Sequence, residues 1–126
     1  MSLFNLKNKS VLITGSSKGI GKAIAYQCAE HGAKVIISSR KLDICEQTAD
    51  EINIKLGSEV AYAISANISD DDQLENLVNE TRKKIGKIDV LICNAATNPF
   101  MGSMLDMPIE KFDKVMHNNI RSNQIL

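Results

Sequence analysis

The sequence predicts an α/β fold in which a parallel sheet carries helices on both faces. Short runs rich in valine and isoleucine alternate along the 126 residues with longer stretches whose apolar positions recur at helical spacing. Three glycines lie between the end of the first apolar run and the first turn of the first helical stretch, and further glycines follow the helical stretches. Strands and helices in strict alternation imply right-handed crossovers between parallel strands.

The composition is that of one globular domain. The chain is 44% hydrophobic and 24% charged, and its 15 basic residues equal its 15 acidic residues. A net charge of zero argues against nucleic acid or an anionic membrane as the main partner. No apolar run approaches the roughly 20 residues of a membrane span, and residues 1–6 lack the features of a signal peptide. We therefore expect a cytoplasmic protein.

The three cysteines indicate no metal site and no disulfide framework. Cys28, Cys45 and Cys93 are widely spaced, and His31 and His117 are the two histidines that could join them as ligands. Small, partly buried thiols in a reducing compartment explain them better.

The first half of the chain contains three predicted strands and two predicted helices. The strands are expected at 11–13, 33–38 and 60–64, and the helices at 19–31 and 42–56. Gly32 and Gly57 are placed to end the two helices. The apolar stripe of the first helix is predicted to consist of Ile20, Ala23, Ile24 and Cys28.

The second half repeats this alternation. A helix follows Ser69 and ends near Gly86, a fourth strand is expected at 88–93, and a last helix places apolar residues on one side, namely Ile109, Phe112, Val115, Met116 and Ile120. The adjacent carboxylates of 70–72 could hold a metal. They are better explained by Ser69 acting as the helix N-cap, with acids in the first turn that suit the helix dipole.

The glycine turn between the first strand and the first helix predicts an anion site. Glycines permit a tight turn and close approach of a ligand, and the following helix offers free N–H groups to a phosphate. The spacing excludes a Walker loop, since five residues separate Gly15 from Gly21 and Ala23 follows Lys22. It also differs from the common dinucleotide pattern G-x-G-x-x-G. A glycine-rich turn without a ligand remains the alternative.

The segment Thr14-Gly15-x-x-x-Gly19-Ile20-Gly21 resembles the glycine motif of the short-chain dehydrogenase/reductase family. Asn94-Ala95-Ala96, directly after the fourth strand, is similar to the family's Asn-Ala-Gly element, with Ala96 in place of the glycine. The resemblance implies a Rossmann-like sheet of order 3-2-1-4. It covers nearly all of 1–126 but only the dinucleotide-binding half of the family fold, so the C-terminal catalytic portion is expected to be absent.

The end of the second strand favours NADP over NAD. In dinucleotide folds an acid at this place binds the 2′-hydroxyl of NAD, whereas an arginine accommodates the 2′-phosphate of NADP. This chain has Arg40 and Lys41 there and no acid before Asp43, and Lys18 adds a cation from the glycine turn. The alternative is that these residues are ordinary solvated charges.

The resemblance implies a set of residues that contact the cofactor. Asn67 stands where the family commonly has an aspartate near the adenine ring, and an amide can also serve there. The implied cofactor-binding set is Thr14, Gly15, Ser17, Lys18, Gly19, Ile20, Gly21, Ser39, Arg40, Asn67, Ile68, Asn94, Ala95 and Ala96.

Two further segments bear on the reaction. Residues 94–102, Asn-Ala-Ala-Thr-Asn-Pro-Phe-Met-Gly, resemble the carbonyl and retinal reductase branch of the family and suggest a substrate loop, or else a proline turn without substrate contact. Asn119 lies seven residues after Phe112, at the place where a family asparagine helps hold a proton-relaying water. It is the predicted catalytic residue, with Asn118 and Asn123 as competitors and a plain buried amide as the alternative.

The catalytic pair of the family has no counterpart in this chain. The family uses a tyrosine with a lysine four residues later as its proton donor, whereas Tyr26 and Tyr62 are followed at that spacing by Glu30 and Ala66. The complete form is expected to transfer hydride between NADPH and a small carbonyl or alcohol substrate, with this chain alone inactive. A non-catalytic nucleotide-binding module and an inactive truncated product are the alternatives.

The fourth strand is predicted to be an unprotected edge. With the order 3-2-1-4, nothing in the sequence pairs with its outer side. We expect a homo-oligomer, aggregation, or stabilisation by a missing C-terminal segment at this edge.

Overall fold

The computed structural model describes residues 3–96 and 102–126. A four-stranded parallel sheet of order β3-β2-β1-β4 forms its centre, which confirms the predicted Rossmann-like fold. The strands are β1 (Ser10–Thr14), β2 (Lys34–Ser38), β3 (Ala61–Ala63) and β4 (Val90–Ile92). The helices are α1 (Gly19–Glu30), α2 (Leu42–Leu56), α3 (Asp71–Ile85), α4 (Ile109–Met116) and α5 (Ser122–Ile125), with a 3₁₀ turn at Met104–Asp106 and a π-helical turn at His117–Arg121.

Alternating side chains of β1 and β2 form two cores, one on each face of the sheet. Val11 and Ile13 pack with α1 and α2 on one face, and Leu12 packs on the other against Ile36 and Leu77. The register pairs Leu12 with both Ile36 and Leu91. Because both faces of these strands are covered, their apolar runs are continuous rather than alternating with polar residues.

The predicted apolar stripe of α1 is partly wrong. Ile20 is 75% exposed and Ala23 is also exposed, whereas the buried positions are Gly21, Ala25 and Ala29. These three small residues recur every fourth position, so α1 can lie close against the sheet. Ile24 and Cys28 are partly buried beside this stripe, as predicted.

The start of α3 also differs from the prediction. The N-cap is Asp70, one residue after Ser69, and its Oδ1 accepts hydrogen bonds from the backbone N–H groups of Asp72 and Gln73 at 2.9 and 3.3 Å. A carboxylate suits this place because it both accepts hydrogen bonds from free N–H groups and interacts favourably with the helix dipole. Two acids, Asp71 and Asp72, lie in the first turn, as expected.

The C-terminal helices present their apolar residues outward. Ile109, Phe112, Met116 and Ile120 are 39–66% exposed, and no side chain of α4 is buried. The buried residues of the following turns are polar, namely Asn118 and Ser122. We call the four exposed side chains the α4 apolar stripe. The sequence pattern grouped them as one apolar face, but such a pattern does not indicate whether that face is covered.

The remaining sequence predictions concern the substrate loop and the absence of a membrane span. The segment Asn98-Pro99-Phe100 of the predicted substrate loop lies outside the described residues. Within 3–96 and 102–126, no helix has the length and apolar character needed to cross a membrane.

Candidate cofactor site

A cavity of about 690 Å³ opens at the carboxyl ends of the parallel strands. Its walls come from the glycine turn after β1, the residues that follow β2, β3 and β4, and the C-terminal helical segment. In open parallel sheets this edge is where ligands bind. Twelve of its lining residues belong to the predicted cofactor set: Thr14, Gly15, Ser17, Lys18, Gly19, Ser39, Arg40, Asn67, Ile68, Asn94, Ala95 and Ala96.

The three glycines of the turn serve different purposes. A Cβ on Gly21 would lie 2.2 Å from the carbonyl oxygen of Gly15, so Gly21 permits α1 to pack against the turn. Gly15 has a φ of +65°, and a Cβ there would lie 2.9 Å from Cα of Ala95. Gly19 has a φ of +60°, yet no described atom lies within 4 Å of where its Cβ would be. Only Gly19 of the three therefore leaves room for a ligand to approach the backbone.

The N-terminus of α1 borders the cavity with uncapped backbone N–H groups. The N-cap residue, Lys18, is extended, and its side chain makes no capping hydrogen bond. The first N–H groups of a helix have no partner within the helix, and the positive end of the dipole lies there. This end of α1 is therefore suited to bind a phosphate.

Hydrogen bonds between the ends of β1 and β4 fix the turn. Oγ1 of Thr14 accepts from the backbone N–H groups of Asn94 and Ala95, at 3.1 and 3.0 Å. Nδ2 of Asn94 in turn donates to the carbonyl oxygen of Gly15 at 3.0 Å. Thr14 and Asn94 thus link the carboxyl ends of β1 and β4. These polar side chains both line the cavity and fix its shape.

A second set of hydrogen bonds ties the turn to the end of β2. The backbone N–H of Ser16 donates to the carbonyl oxygen of Ser38 at 3.0 Å, and the N–H of Ser38 donates to Oγ of Ser16 at 2.8 Å. Oγ1 of Thr48, from α2, donates to the carbonyl oxygen of Ser17 at 2.7 Å. These bonds position Ser39 and Arg40 beside the glycine turn.

The charge of the cavity wall favours an anionic ligand. Lys18, Arg40 and Lys114 line it, and no carboxylate does so among the residues that the structure describes. Cations without neighbouring acids raise the local concentration of anions and can form charge-assisted hydrogen bonds to phosphate oxygens. Two of these cations were predicted, and Lys114 is new.

The loop after β3 forms the far wall of the cavity. Oδ1 of Asn67 accepts from the N–H and the hydroxyl of Ser69 at 3.0 and 2.6 Å, while the backbone N–H of Asn67 donates to Oε1 of Gln73 at 2.8 Å. Because Oδ1 of Asn67 accepts these hydrogen bonds from within the loop, the loop itself fixes the orientation of the Asn67 side chain. Asn67 and Ile68 both line the cavity.

Three polar contacts attach the C-terminal segment to this loop, and together we call them the polar latch. Oγ of Ser122 donates to the carbonyl oxygen of Ile68, Nε2 of His117 lies 2.9 Å from the carbonyl oxygen of Ser69, and the guanidinium of Arg121 donates two hydrogen bonds to the Asp71 carboxylate at 2.6 and 2.7 Å. The Arg121 hydrogen bond lowers the pKa of Asp71, and the nearby His117 contributes in the same direction.

Three predicted residues do not line the cavity. The side chain of Ile20 is exposed, and Gly21 is buried where the first turn of α1 packs against the glycine turn. Asn119 is half-buried, and its carbonyl oxygen accepts a hydrogen bond from Nδ2 of Asn123 at 2.9 Å. Its neighbour Asn118, 3% exposed, lines the cavity in its place.

Five lining residues lie outside the predicted cofactor set, namely Ser38, Ala66, Ser69, Lys114 and Asn118, of which Asn118 was considered only as a competitor of Asn119. The first three adjoin predicted positions at the ends of strands and could have been found from that alone. Lys114 and Asn118 are four residues apart, which places both on one face of a helix. This spacing of four residues is the sequence feature from which both could have been predicted.

A parallel sheet with a glycine turn and a cationic cavity at its carboxyl edge is the arrangement of nucleotide-binding α/β proteins. The chain belongs to the short chain dehydrogenase family, whose sequence profile matches residues 9–125. It is 38% identical over 96% of its length to Short-chain dehydrogenase reductase 5 of Arabidopsis thaliana. It is 36% identical over 95% of its length to Tropinone reductase-like 3 of Erythroxylum coca.

Solved structures agree with this assignment. A short-chain type dehydrogenase/reductase from Mycobacterium marinum superposes with a TM-score of 0.89 at 36% identity, over 99% of this chain and 51% of that one. A 3-ketoacyl-(acyl-carrier-protein) reductase from Brucella melitensis, complexed with NADH, gives 0.87 at 31% identity, over 96% and 48%. The chain spans about half the length of the curated relatives it matches, 45% and 46% of the two named above.

Proposed function

We propose that residues 1–126 are the NADP(H)-binding portion of a short-chain oxidoreductase that transfers hydride between the nicotinamide and a carbonyl or alcohol group. The observation that carries the proposal is the cavity wall: an uncapped helix N-terminus with three cations and, among the described residues, no carboxylate. NADP carries a 2′-phosphate in addition to its pyrophosphate, so it is more anionic than NAD. Such a wall therefore suits NADP.

The residues present fit this cofactor. The open space over Gly19 and the free N–H groups of α1 would receive the pyrophosphate. Arg40, with Lys18 as a second cation, would bind the 2′-phosphate, and Asn67 with Ile68 would lie along the adenine. The remaining proposed contacts are Thr14, Gly15, Ser17, Ser39, Asn94, Ala95 and Ala96, together with Ile20 and Gly21, whose part would be limited to the backbone N–H groups of the first turn of α1.

The bound cofactor would supply the hydride, and this chain would bind and orient it. Both tyrosines lie elsewhere: the ring of Tyr26 contacts Nζ of Lys55 at 4.6 Å, and the hydroxyl of Tyr62 donates to the carbonyl oxygen of Glu59 at 3.3 Å. Neither lines the cavity. Residues 1–126 would therefore lack a tyrosine proton donor and be inactive alone, with Asn119 contributing a water contact to a complete site.

The names of relatives support a carbonyl substrate. One relative is named a tropinone reductase-like protein and one structural neighbour a 3-ketoacyl reductase, and both names describe reduction of a ketone. Asn98-Pro99-Phe100, outside the described residues, is the segment that would assign the chain to the carbonyl and retinal reductase branch.

The α4 apolar stripe and the β4 edge would form the assembly surface. Leu91 on β4 is 38% exposed, and the stripe adds four large apolar side chains. Exposed patches of this kind mark association sites. A second copy of this chain, or the remaining portion of a longer polypeptide, would cover them.

Fluorescence titration of residues 1–126 with NADPH and, separately, NADH tests the proposal. We expect saturable binding that prefers NADPH, and an Arg40→Asp variant that loses this preference. Arg82→Asp is the matched control, because Arg82 is an exposed arginine on α3 that does not line the cavity. No binding of either nucleotide, or equal binding of both, would overturn the NADP assignment.

A further inference from the structure

Thr48 is a buried polar side chain of α2 that reaches the glycine turn. It is 3% exposed, and its Oγ1 donates to the carbonyl oxygen of Ser17 at 2.7 Å. Ser17 lines the cavity, whereas Thr48 does not. Because a peptide unit is planar, this hydrogen bond fixes the orientation of the whole unit that joins Ser17 to Lys18. Thr48 therefore acts on the cavity through the glycine turn.

Lys18 lies between this anchored peptide unit and the first turn of α1. Its backbone is extended, its side chain makes no capping hydrogen bond, and its carbonyl oxygen accepts from the N–H of Lys22 at 3.3 Å. Gly19, which follows, has no described atom within 4 Å of where its Cβ would be. Because glycine permits many backbone conformations, packing at Gly19 does not fix the direction of Lys18. The hydrogen bond from Thr48 constrains the backbone directly before it.

The same helix also holds the segment that contains the second cation. Arg40 lies two residues before the start of α2. Cys45 shares the buried face of α2 with Thr48, and its Sγ lies 3.1 Å from Oγ of Ser39. Helix α2 thus contacts the backbone before Lys18 and the residue before Arg40. These two contacts set the separation of the two cations.

Lys18 and Arg40 bind one phosphate together most strongly when both are held within its reach, because less side-chain freedom is then lost on binding. Resting on the proposed function, we propose that Thr48 is a positioning residue that sets the separation of Lys18 and Arg40 for the 2′-phosphate of NADP. Thr48 itself would not touch the cofactor. Its hydroxyl would act on the affinity for the 2′-phosphate more than on the affinity for the rest of the nucleotide.

Fluorescence titration of Thr48→Val with NADPH and NADH tests this assignment. Valine is similar in shape to threonine but has no hydroxyl, so the carbonyl oxygen of Ser17 loses its donor. We expect the preference for NADPH over NADH to fall about fivefold, with the NADH affinity changed by less than about twofold. Thr48→Ser, which keeps the hydroxyl, should keep the wild-type preference. Equal weakening of both nucleotides, or the same loss in Thr48→Ser, would overturn the proposal.

A double-mutant cycle shows whether Thr48 acts through Lys18. In a Lys18→Ala chain, Thr48→Val should change the nucleotide preference by less than about twofold, because the cation that Thr48 positions is absent. A full fivefold loss in that chain would contradict the proposed route.

Thr81→Val is the matched control. Thr81 is fully buried on α3, does not line the cavity, and its Oγ1 has no hydrogen-bond partner in the part of the chain that the structure describes. This substitution should leave the nucleotide preference unchanged.

A second variant covers the case in which Thr48→Val does not fold by circular dichroism. Thr48→Cys, whose thiol is a weak donor, should then show the same loss of preference. A folded variant of either kind that keeps the wild-type preference overturns the role of Thr48 alone. A wild-type chain that binds neither nucleotide, or both equally, overturns the proposed function as well.

Discussion

The region around β1 and β2 differs sharply in burial from the region around β4 and α4. Val11, Leu12, Ile13, Val35, Ile36 and Ile37 are all fully buried, whereas Leu91 of β4 is 38% exposed and α4 buries no side chain. The glycine turn rests on the first region. The wall that contains Asn118 belongs to the second and is attached mainly through polar contacts. The cavity thus joins a well-packed side, formed by the glycine turn, to an opposite side with less apolar burial.

Gly21→Ala should produce the largest effect, because it breaks the well-packed region at its contact with the turn. The new Cβ would lie 2.2 Å from the carbonyl oxygen of Gly15, and backbone atoms must move to accept it. We expect a loss of about 3 kcal/mol or more in the free energy of unfolding, measured by urea denaturation.

Gly57→Ala is the control for Gly21→Ala. Gly57 has a φ of +67° but open space around its Cβ position, so we expect only the backbone cost of about 1 kcal/mol. Gly21 does not have a positive φ, so a loss at Gly21→Ala no larger than that at Gly57→Ala would contradict a close approach of α1 to the turn as the reason for glycine at position 21.

Leu12→Ala and Leu91→Ala compare the two regions directly, since these residues are neighbours in the register of β1 and β4. Leu12 is fully buried, and truncating it should cost about 2–5 kcal/mol. Leu91 is 38% exposed, so we expect about 1 kcal/mol or less. Urea denaturation measures both. Similar losses at the two positions would mean that β4 is covered in solution.

Replacing part of the α4 apolar stripe should alter association more than stability. We expect residues 1–126 to self-associate in sedimentation-velocity experiments and the double variant Phe112→Gln, Met116→Gln to do so less, with a change in unfolding free energy within about 0.5 kcal/mol. Ile54→Gln, at an 81% exposed position on α2, should leave association unchanged. A wild-type chain that stays monomeric at all concentrations would contradict the predicted assembly surface.

The sequence predicted the side of the cavity formed by the glycine turn better than the opposite side, and the reason is physical. Glycine spacing and runs of β-branched residues directly reflect the backbone geometry that a turn or a strand requires. The sequence therefore predicted Gly15, Gly19 and the buried strands correctly. In α1 the contact with the sheet is made by Gly21, Ala25 and Ala29, which carry little hydrophobic signal, so Ile20 was wrongly placed on the buried stripe.

The opposite wall contains Asn118, whereas the predicted catalytic residue Asn119 does not line it. A regular helical period puts Asn119 on the same side as Phe112, seven residues earlier. The π-helical turn at His117–Arg121 contains more residues per turn than an α-helix and changes which side chains face inward. Asn118 consequently lines the cavity, and hydrophobic periodicity carries no information about such a turn.

The polar latch should be sensitive to acid, and this is the smallest effect that we expect. Because Arg121 lowers the pKa of Asp71 in the folded chain, the ion pair stabilises the latch above the unfolded pKa of about 3.9 and loses its contribution as the pH falls through the lower folded value. Both side chains are exposed, so Asp71→Asn should raise amide exchange in residues 117–126 only about two- to threefold at pH 7.

Glu80→Gln, which removes an exposed ion pair within α3, should leave exchange in that segment unchanged. Hydrogen-exchange mass spectrometry from pH 7 to pH 3, corrected for intrinsic rates, should show the wild-type and Asp71→Asn chains converging at the acidic end, and a constant difference across that range would exclude this ion pair as part of the latch.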